Sequence, residues 1–174
     1  MCVHTEGVGP VSADAAARMR AAARSERGVS LVEFALVLPV LAVLLFGMLD
    51  FGKAFNYWID ATHLANEGAR WAVVNKNPGS GGGLTLQEYI QKQGTTAELV
   101  NGGTASLPSP AGVCISFPSG TSNVGDPVKV EVKLEYFWLP LIGNRIGKVK
   151  SAIRGTSIMR LEAKPSNYAA GGAC

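Results

Sequence analysis

A single carboxylate, Glu33, lies inside an apolar stretch and is the residue most suited to a specific polar interaction. Val29 to Leu49 is a run of 21 residues, and the sixteen residues from Phe34 to Leu49 carry no charge. An ionised carboxylate in a bilayer costs about 3 kcal/mol, so Glu33 needs a partner. If the chain were cut after Gly28, the new α-amine at Val29, with a pKa of about 8, would be charged. It would pair with Glu33 as an i,i+4 contact within one helix, or as a register-setting salt bridge between staggered subunits.

Three other side chains have the right chemistry for catalysis or metal binding but lack the further ligands or catalytic partners that such a site needs. His63 and Glu67 are four residues apart, a spacing that suits a metal on a helix, yet no third ligand accompanies them, which favours a solvated polar face. Cys114 and His63 could act as nucleophile and base, but the other histidine is His4 and no nucleophile motif is present. We therefore expect no enzyme activity, no metal and no cofactor.

The apolar run is long enough to cross a membrane. A bilayer core of about 30 Å needs about 20 helical residues at about 1.5 Å each. Four arginines precede the run and only Lys53 closely follows it, which predicts that the N-terminus lies inside and the C-terminus outside. Pro39 predicts a kink or a locally melted turn, either among packed helices or in an ordinary single span. A conventional secretory signal cut near Gly52-Lys53-Ala54 fits less well, because its apolar core usually has about 7 to 15 residues.

The helical pattern continues beyond the apolar run, so Val29 to Asn75 predicts one helix of about 70 Å. We expect its apolar seam to be divided between the protein's own sheet and the helices of other subunits. The seam consists of Phe51, Phe55, Trp58, Thr62, Ala65, Ala69 and Ala72. A line of small residues, which permits close backbone approach, consists of Gly47, Ala54, Ala61 and Gly68. Aromatic residues expected at the headgroup level are Phe46, Phe51, Tyr57 and Trp58.

The segment around Gly28 resembles a known processing site. Gly28 followed by Val29, with Glu33 and Phe34 at the fifth and sixth positions after the break, is similar to the cleavage site of type IV pilin-like proteins. The longer string up to Val74 closely resembles the TadE-like pseudopilins of the tight-adherence (Flp) pilus. One departure is that this chain has valine directly after the cut, where many type IV pilins have phenylalanine. The positions that carry the resemblance are Gly28, Glu33, Phe34, Pro39, Phe46, Gly47 and the Glu67-Gly68-Ala69-Arg70 run.

This resemblance implies a minor pilin-like subunit that a prepilin peptidase cleaves between Gly28 and Val29 and that helps to assemble or prime the pilus. Glu33 and Phe34 would serve processing and assembly. Its partners would be the peptidase, other pilus subunits, the assembly platform and the cytoplasmic membrane, with the C-terminal domain extracytoplasmic. Two alternatives remain open: a single-pass membrane-anchored extracytoplasmic binding module outside any filament, and a secreted adhesin released by signal peptidase.

The rest of the chain predicts a small α+β domain. We divide the chain into a leader (1–28), the long helix (29–76), a flexible Gly-rich linker (77–83) and the extracytoplasmic domain (84–174). Residues 84–100 predict a short helix broken near Gly94, and residues 112–117 predict a strand. Strict alternation from Val128 to Tyr136 predicts a half-buried strand, and residues 149–163 predict another. The fold class is therefore α+β, pilin-like, with a long transmembrane and amphipathic helix packed on a small antiparallel sheet.

Cysteines, an apolar turn and charge complete the sequence-based picture. Cys2 precedes the cut, so Cys114 and Cys174 remain as a possible disulfide of an exported domain, worth roughly 4 kcal/mol, or as two unrelated thiols. The net charge of +3 has no concentrated basic face, so we expect no nucleic-acid partner. An apolar turn is either core or a surface for another pilus component, and it consists of Tyr136, Phe137, Trp138, Leu139, Leu141 and Ile142.

Overall fold

The protein combines one long helix with a small antiparallel sheet. The computed structural model describes residues 13–139 and 149–171, with side chains from residue 28 onward. The helices are α1 (Ala13–Val73), α2 (Leu86–Lys92) and α3 (Ala97–Asn101), and the strands are β1 (Gly112–Ser116), β2 (Pro127–Phe137) and β3 (Lys150–Arg160). The predicted α+β class is confirmed. The chain divides into two units, Met1–Leu45 and Phe46–Cys174, and the sheet lies in the second. Cys2, His4, Leu141, Ile142 and Cys174 lie outside the described residues.

The apolar part of α1 exposes its side chains on every side. Leu36 is 73% exposed and Leu44 is 58% exposed. Among the described residues, one helical segment, Gly28–Val73, is long and apolar enough to cross a membrane, and its most apolar window is not buried by the protein. An exposed apolar helix of this length supports single-pass membrane anchoring. The helix begins upstream of the predicted start and continues through Pro39 without a break, so a melted turn is absent there, and a kink stays a prediction.

The sheet has the order β1-β2-β3, and both pairs are antiparallel. The central strand, β2, follows the predicted alternation, because its apolar side chains are at most 2% exposed while the charged ones face solvent. The buried set is Val128, Val130, Val132, Leu134 and Tyr136. On β3, Ile153 and Met159 face inward, whereas Arg154 and Arg160 face outward, as predicted. One face of the sheet is therefore covered and the other is wet.

The second half of α1 covers the sheet with its line of small residues. Ala54, Ala61 and Gly68, which recur every seventh position, are all buried. At Gly155 of β3, an added Cβ would lie 2.3 Å from the carbonyl carbon of Ala61, so the two backbones approach as closely as they can. An added Cβ at Gly68 would lie 2.6 Å from Ile90 Cδ1. In this part of the helix the small residues thus serve the protein's own sheet.

The segment from Asn77 to Gly83, predicted as a flexible linker, is a hydrogen-bonded turn. The Asn77 side chain accepts from the Gly79 backbone at 3.0 Å and donates to the Leu84 carbonyl at 2.9 Å. A short 3-10 turn follows at Ser80–Gly82. The next helix, α2, starts with a capping box between Thr85 and Glu88. These bonds fix α2 against the end of α1.

The C-terminal segment is fastened across the end of α1. Asn75 has a left-handed backbone, with φ +52°, and its Oδ1 accepts from the backbone of Ser166 at 2.8 Å and of Asn167 at 2.9 Å. The Tyr168 hydroxyl donates to the Ala72 carbonyl at 2.8 Å, and burial raises the pKa of Tyr168 to about 12. Gly171 then forms an antiparallel bridge with Ile115 of β1. Residues 166–171 are therefore anchored to the end of α1 and to β1.

Candidate functional site

The predicted processing residues lie together on α1 and are not covered by other parts of the protein. Gly28 has nothing within 4 Å of an added Cβ, and Val29 and Phe34 are 58% and 60% exposed. Glu33 is also exposed and has no hydrogen bond or ion pair with any described residue. Helical spacing places Val29 and Glu33 on the same face, one turn apart. The geometry is compatible with the predicted pair, which requires a free α-amine that exists only after cleavage.

Asp50 joins the helix to the sheet at the point where the apolar run ends. Its Oδ1 accepts from the Tyr136 hydroxyl at 2.5 Å, and its Oδ2 accepts from the Leu139 backbone at 2.7 Å. Tyr136 is fully buried, and this burial, reinforced by the bond to Asp50, raises the pKa of its hydroxyl. Leu139 has φ +44°, a left-handed conformation that is uncommon for a branched residue. Both carboxylate oxygens of Asp50 thus hold the end of β2.

Asp60 makes a second connection from the same helix. It is 6% exposed, and its Oδ2 accepts from the Thr95 backbone at 3.1 Å. Lys53, between the two acids, contacts Glu98 at 3.2 Å and lies 5.9 Å from the centre of the Tyr57 ring. The ion pair is partly exposed and contributes little. The hydrogen bonds of Asp50 and Asp60 help to fix the register of the domain on α1.

Sequence reasoning missed the role of Asp50 and the burial of Tyr57. Tyr57 is 2% exposed and packs against Tyr136 with ring centroids 5.8 Å apart, so it faces the sheet, and its predicted depth at the headgroup level stays a prediction. It follows the helical period that faces the sheet rather than the one that faces outward. The available signal for Asp50 was an acid directly after a charge-free run.

An aromatic groove lies where the N-terminal half of the seam meets the sheet. Phe51, Phe55 and Trp58 are 63%, 50% and 47% exposed, and Phe55 packs on Trp58 with centroids 5.6 Å apart. Trp138, which is half-buried, closes the other side and donates from Nε1 to Ser151 Oγ at 2.8 Å. The groove encloses about 440 Å³ and is lined by Phe51, Ala54, Phe55, Trp58, Trp138, Ala152, Ile153 and Arg154.

The apolar turn and the seam are each split between core and surface. Tyr136 belongs to the core, whereas Trp138 and Leu139 are half-buried at its edge. In the seam, the C-terminal half is buried under the domain and the N-terminal half is exposed. The buried residues are Ala65, Ala69 and Ala72.

The two remaining candidates are placed as follows. His63 and Glu67 border a hollow on the outer face of α1 with Arg70 and Trp71, and among the described side chains no group of three His, Cys, Asp or Glu stands close enough to hold a metal. Cys114 is buried in β1 and takes part in a disulfide bond. Its predicted pairing with Cys174, which lies outside the described residues, stays a prediction.

A comparison with known protein families finds a match that lies within α1. Residues 28–70 match the model of a family described as TadE-like protein. No curated protein and no solved structure matches the chain. The predicted resemblance to TadE-like proteins is therefore confirmed over this stretch, which begins at Gly28, includes Glu33 and Asp50 and stops before the sheet. It indicates a protein related to the tight-adherence pilus.

Proposed function

We propose that this protein is a minor pilin-like subunit that a prepilin peptidase cleaves after Gly28 and that then takes part in assembling or priming a tight-adherence pilus. The observation that carries this proposal is the TadE-like match, whose first residue is Gly28. In this role the protein is a substrate and a structural partner and performs no reaction of its own. The leader lies in the cytoplasm and the sheet domain lies outside, as the arginines before the span favour.

Gly28 suits cleavage because a residue without a side chain lets a protease approach the backbone closely. The surroundings of Gly28 make this testable, since an added Cβ would meet nothing within 4 Å, and we expect a larger side chain there to leave the fold intact. We expect Gly28→Leu to remain at precursor size. Gly47→Leu is the matched control, because Gly47 is equally open and lies on the same helix.

The experiment expresses each variant with the peptidase and determines the N-terminus of the membrane-extracted protein. Wild type and Gly47→Leu should begin at Val29, and Gly28→Leu should keep its leader. A Gly28→Leu protein that still begins at Val29 would refute the assignment of the cleavage site.

Assembly follows from what cleavage leaves behind. Exposed Glu33 lacks a partner among the described residues, and the new α-amine of a neighbouring subunit would supply a positive charge within the membrane. The C-terminal half of the seam is already buried under the protein's own domain. Contacts between subunits therefore concentrate on the exposed membrane segment, residues 29–49.

The second candidate is an anchored extracytoplasmic binding module that never enters a filament, and the exposed aromatic groove is the observation that favours it. The same N-terminal sequencing separates the possibilities. A start at Val29 supports the pilin-like subunit and a start at Met1 supports the uncleaved module. A start near Phe55 would indicate release by signal peptidase and would contradict both the pilin-like subunit and the uncleaved module.

A further inference from the structure

We propose that the aromatic groove rests on the lipid surface of the bilayer that anchors α1. The sheet domain would then make a second contact with the membrane, in addition to the membrane-spanning part of α1. The contact surface consists of Phe51, Phe55 and Trp58 from the helix and Trp138, which directly follows β2. The partner is the headgroup and upper acyl region of the bilayer. This inference rests on membrane anchoring and is independent of cleavage and of pilus assembly.

The depth of the groove follows from Asp50. This residue directly follows Leu49, the last residue of the charge-free run, and it binds the end of β2 through Tyr136 and Leu139. The end of β2 is therefore held at the level where the hydrocarbon core ends. Trp138, one residue before Leu139, shares that level. The headgroup layer is about 5 to 7 Å thick on each side, so Trp138 lies within it.

The helix residues of the groove reach the same layer. Phe51, Phe55 and Trp58 follow Leu49 by about 3, 9 and 14 Å along the axis, at about 1.5 Å per residue. Helical side chains point back toward the N-terminus, which here is toward the membrane. The usual tilt of about 20° lowers one side of the helix further. The ring of Trp58 thus approaches the outer edge of the headgroups.

The exposed surface of α1 changes composition at the depth this arrangement requires. Up to Ile59, about 15 Å past Leu49, most exposed side chains are large and apolar. Beyond Ile59 they become polar, as His63, Asn66 and Arg70 show. If α1 packed along a second copy, its exposed apolar seam would continue toward the C-terminal end of the helix. In a bilayer, exposed apolar side chains are favoured only up to the depth of the headgroups. The change therefore favours lipid as the occupant.

Charge around the groove also suits a lipid surface. Arg154 lines it and can extend its charged end to a phosphate while its stem lies along apolar neighbours. Within the protein, Arg154 contacts Glu131 at 3.7 Å. This is a surface pair that exchanges readily for a headgroup.

The three tryptophans provide the test. The full-length protein is placed in vesicles of phosphatidylcholine and phosphatidylglycerol, as versions that retain one tryptophan and carry phenylalanine at the other two. Lipids brominated near the carbonyl end of the acyl chain should quench Trp138 strongly and Trp58, which lies further out, to a smaller extent. Trp71 is the internal control, because it lies about 33 Å beyond Leu49 and should keep its emission. A Leu41→Trp version without the native tryptophans reports insertion of the span through quenching by lipids brominated near the chain end.

The outcomes are distinct. If Leu41→Trp is quenched and Trp58 and Trp138 are quenched no more than Trp71, the groove does not touch lipid and the inference is overturned, while anchoring stands. If Leu41→Trp is not quenched, anchoring itself fails, and the inference fails with it. Shielding of Trp58 and Trp138 that rises with protein density, without lipid quenching, would identify a second copy as the occupant and would also overturn it.

A second measurement uses the unaltered protein, so its result does not depend on whether the tryptophan variants fold correctly. Vesicles that contain a lipid with a photoactivatable group near the acyl carbonyl are irradiated, and the labelled peptides are mapped by mass spectrometry. We expect labels on residues 51–58 and on Trp138. Labels confined to the span, with none on Trp138, would contradict the proposal. Ile158, which is 60% exposed but lies at the far end of β3, should remain unlabelled.

Discussion

Replacing Gly155 by alanine should weaken the contact that holds the sheet on α1. The new Cβ would lie 2.3 Å from both the carbonyl carbon and oxygen of Ala61 and 2.4 Å from the amide of Thr62. Optimal carbon contacts are about 3.5 to 4.0 Å, so the overlap is severe. Because these are backbone atoms of a helix, no rotamer change relieves it. Overpacking typically costs about 1 to 3 kcal/mol, and we expect about 3 kcal/mol here.

A loss of that size is a large share of the stability of an ordinary domain, which is about 5 to 15 kcal/mol. It is measured by urea unfolding of the full-length protein in detergent, followed by tryptophan emission and circular dichroism. Gly81→Ala is the control, since Gly81 has open space around it and should change stability by less than about 0.5 kcal/mol. If the two variants unfold at the same urea concentration, the close approach of β3 to α1 is refuted.

Three further predictions address the polar contacts and the cysteines. Asp50→Asn should cost about 1.5 to 3 kcal/mol in the same unfolding assay, because the charge-assisted bond to the Leu139 amide is lost, and unchanged stability would show that Asp50 does not fix the hairpin. Glu33→Gln should still be processed but should co-purify less with other pilus subunits, since an unpaired buried charge on a neighbour costs about 3 to 5 kcal/mol; wild-type co-purification would contradict the inter-subunit role. Non-reducing mass analysis of the exported protein should find Cys114 and Cys174 linked within one chain, and two free thiols would disprove the pairing.

Local patterns predicted the elements because each depends on neighbours in sequence. The alternation in β2 reports burial directly, since successive side chains of a strand point to opposite faces. The TadE-like segment was recognisable for a similar reason, as Gly28, Glu33 and the apolar run are close together. The boundaries of α2 and α3 followed from glycines, and Gly94 indeed separates the two helices.

Contacts between distant residues could not be predicted in this way. The bond between Asp50 and Tyr136 spans 86 positions, and it requires the hairpin to return to the helix. Glycine inside a strand usually weakens it, yet the missing side chain of Gly155 is what admits the backbone of Ala61. Asn75 likewise gave no signal that it would bind Ser166 and Asn167. Each of these roles depends on which surfaces meet, which one sequence does not specify.

The distribution of these attachments along α1 has a mechanical consequence. The helix is bonded to the domain at Asp50, Asp60 and Asn75, and Gly155 locks against its middle. Asp50 and Asn75 are about 37 Å apart at about 1.5 Å per residue. A pull along the axis of α1 is shared among these attachments, because the domain can slide only if all of them yield together. A protein built in this way carries tension through its helix while its sheet stays folded.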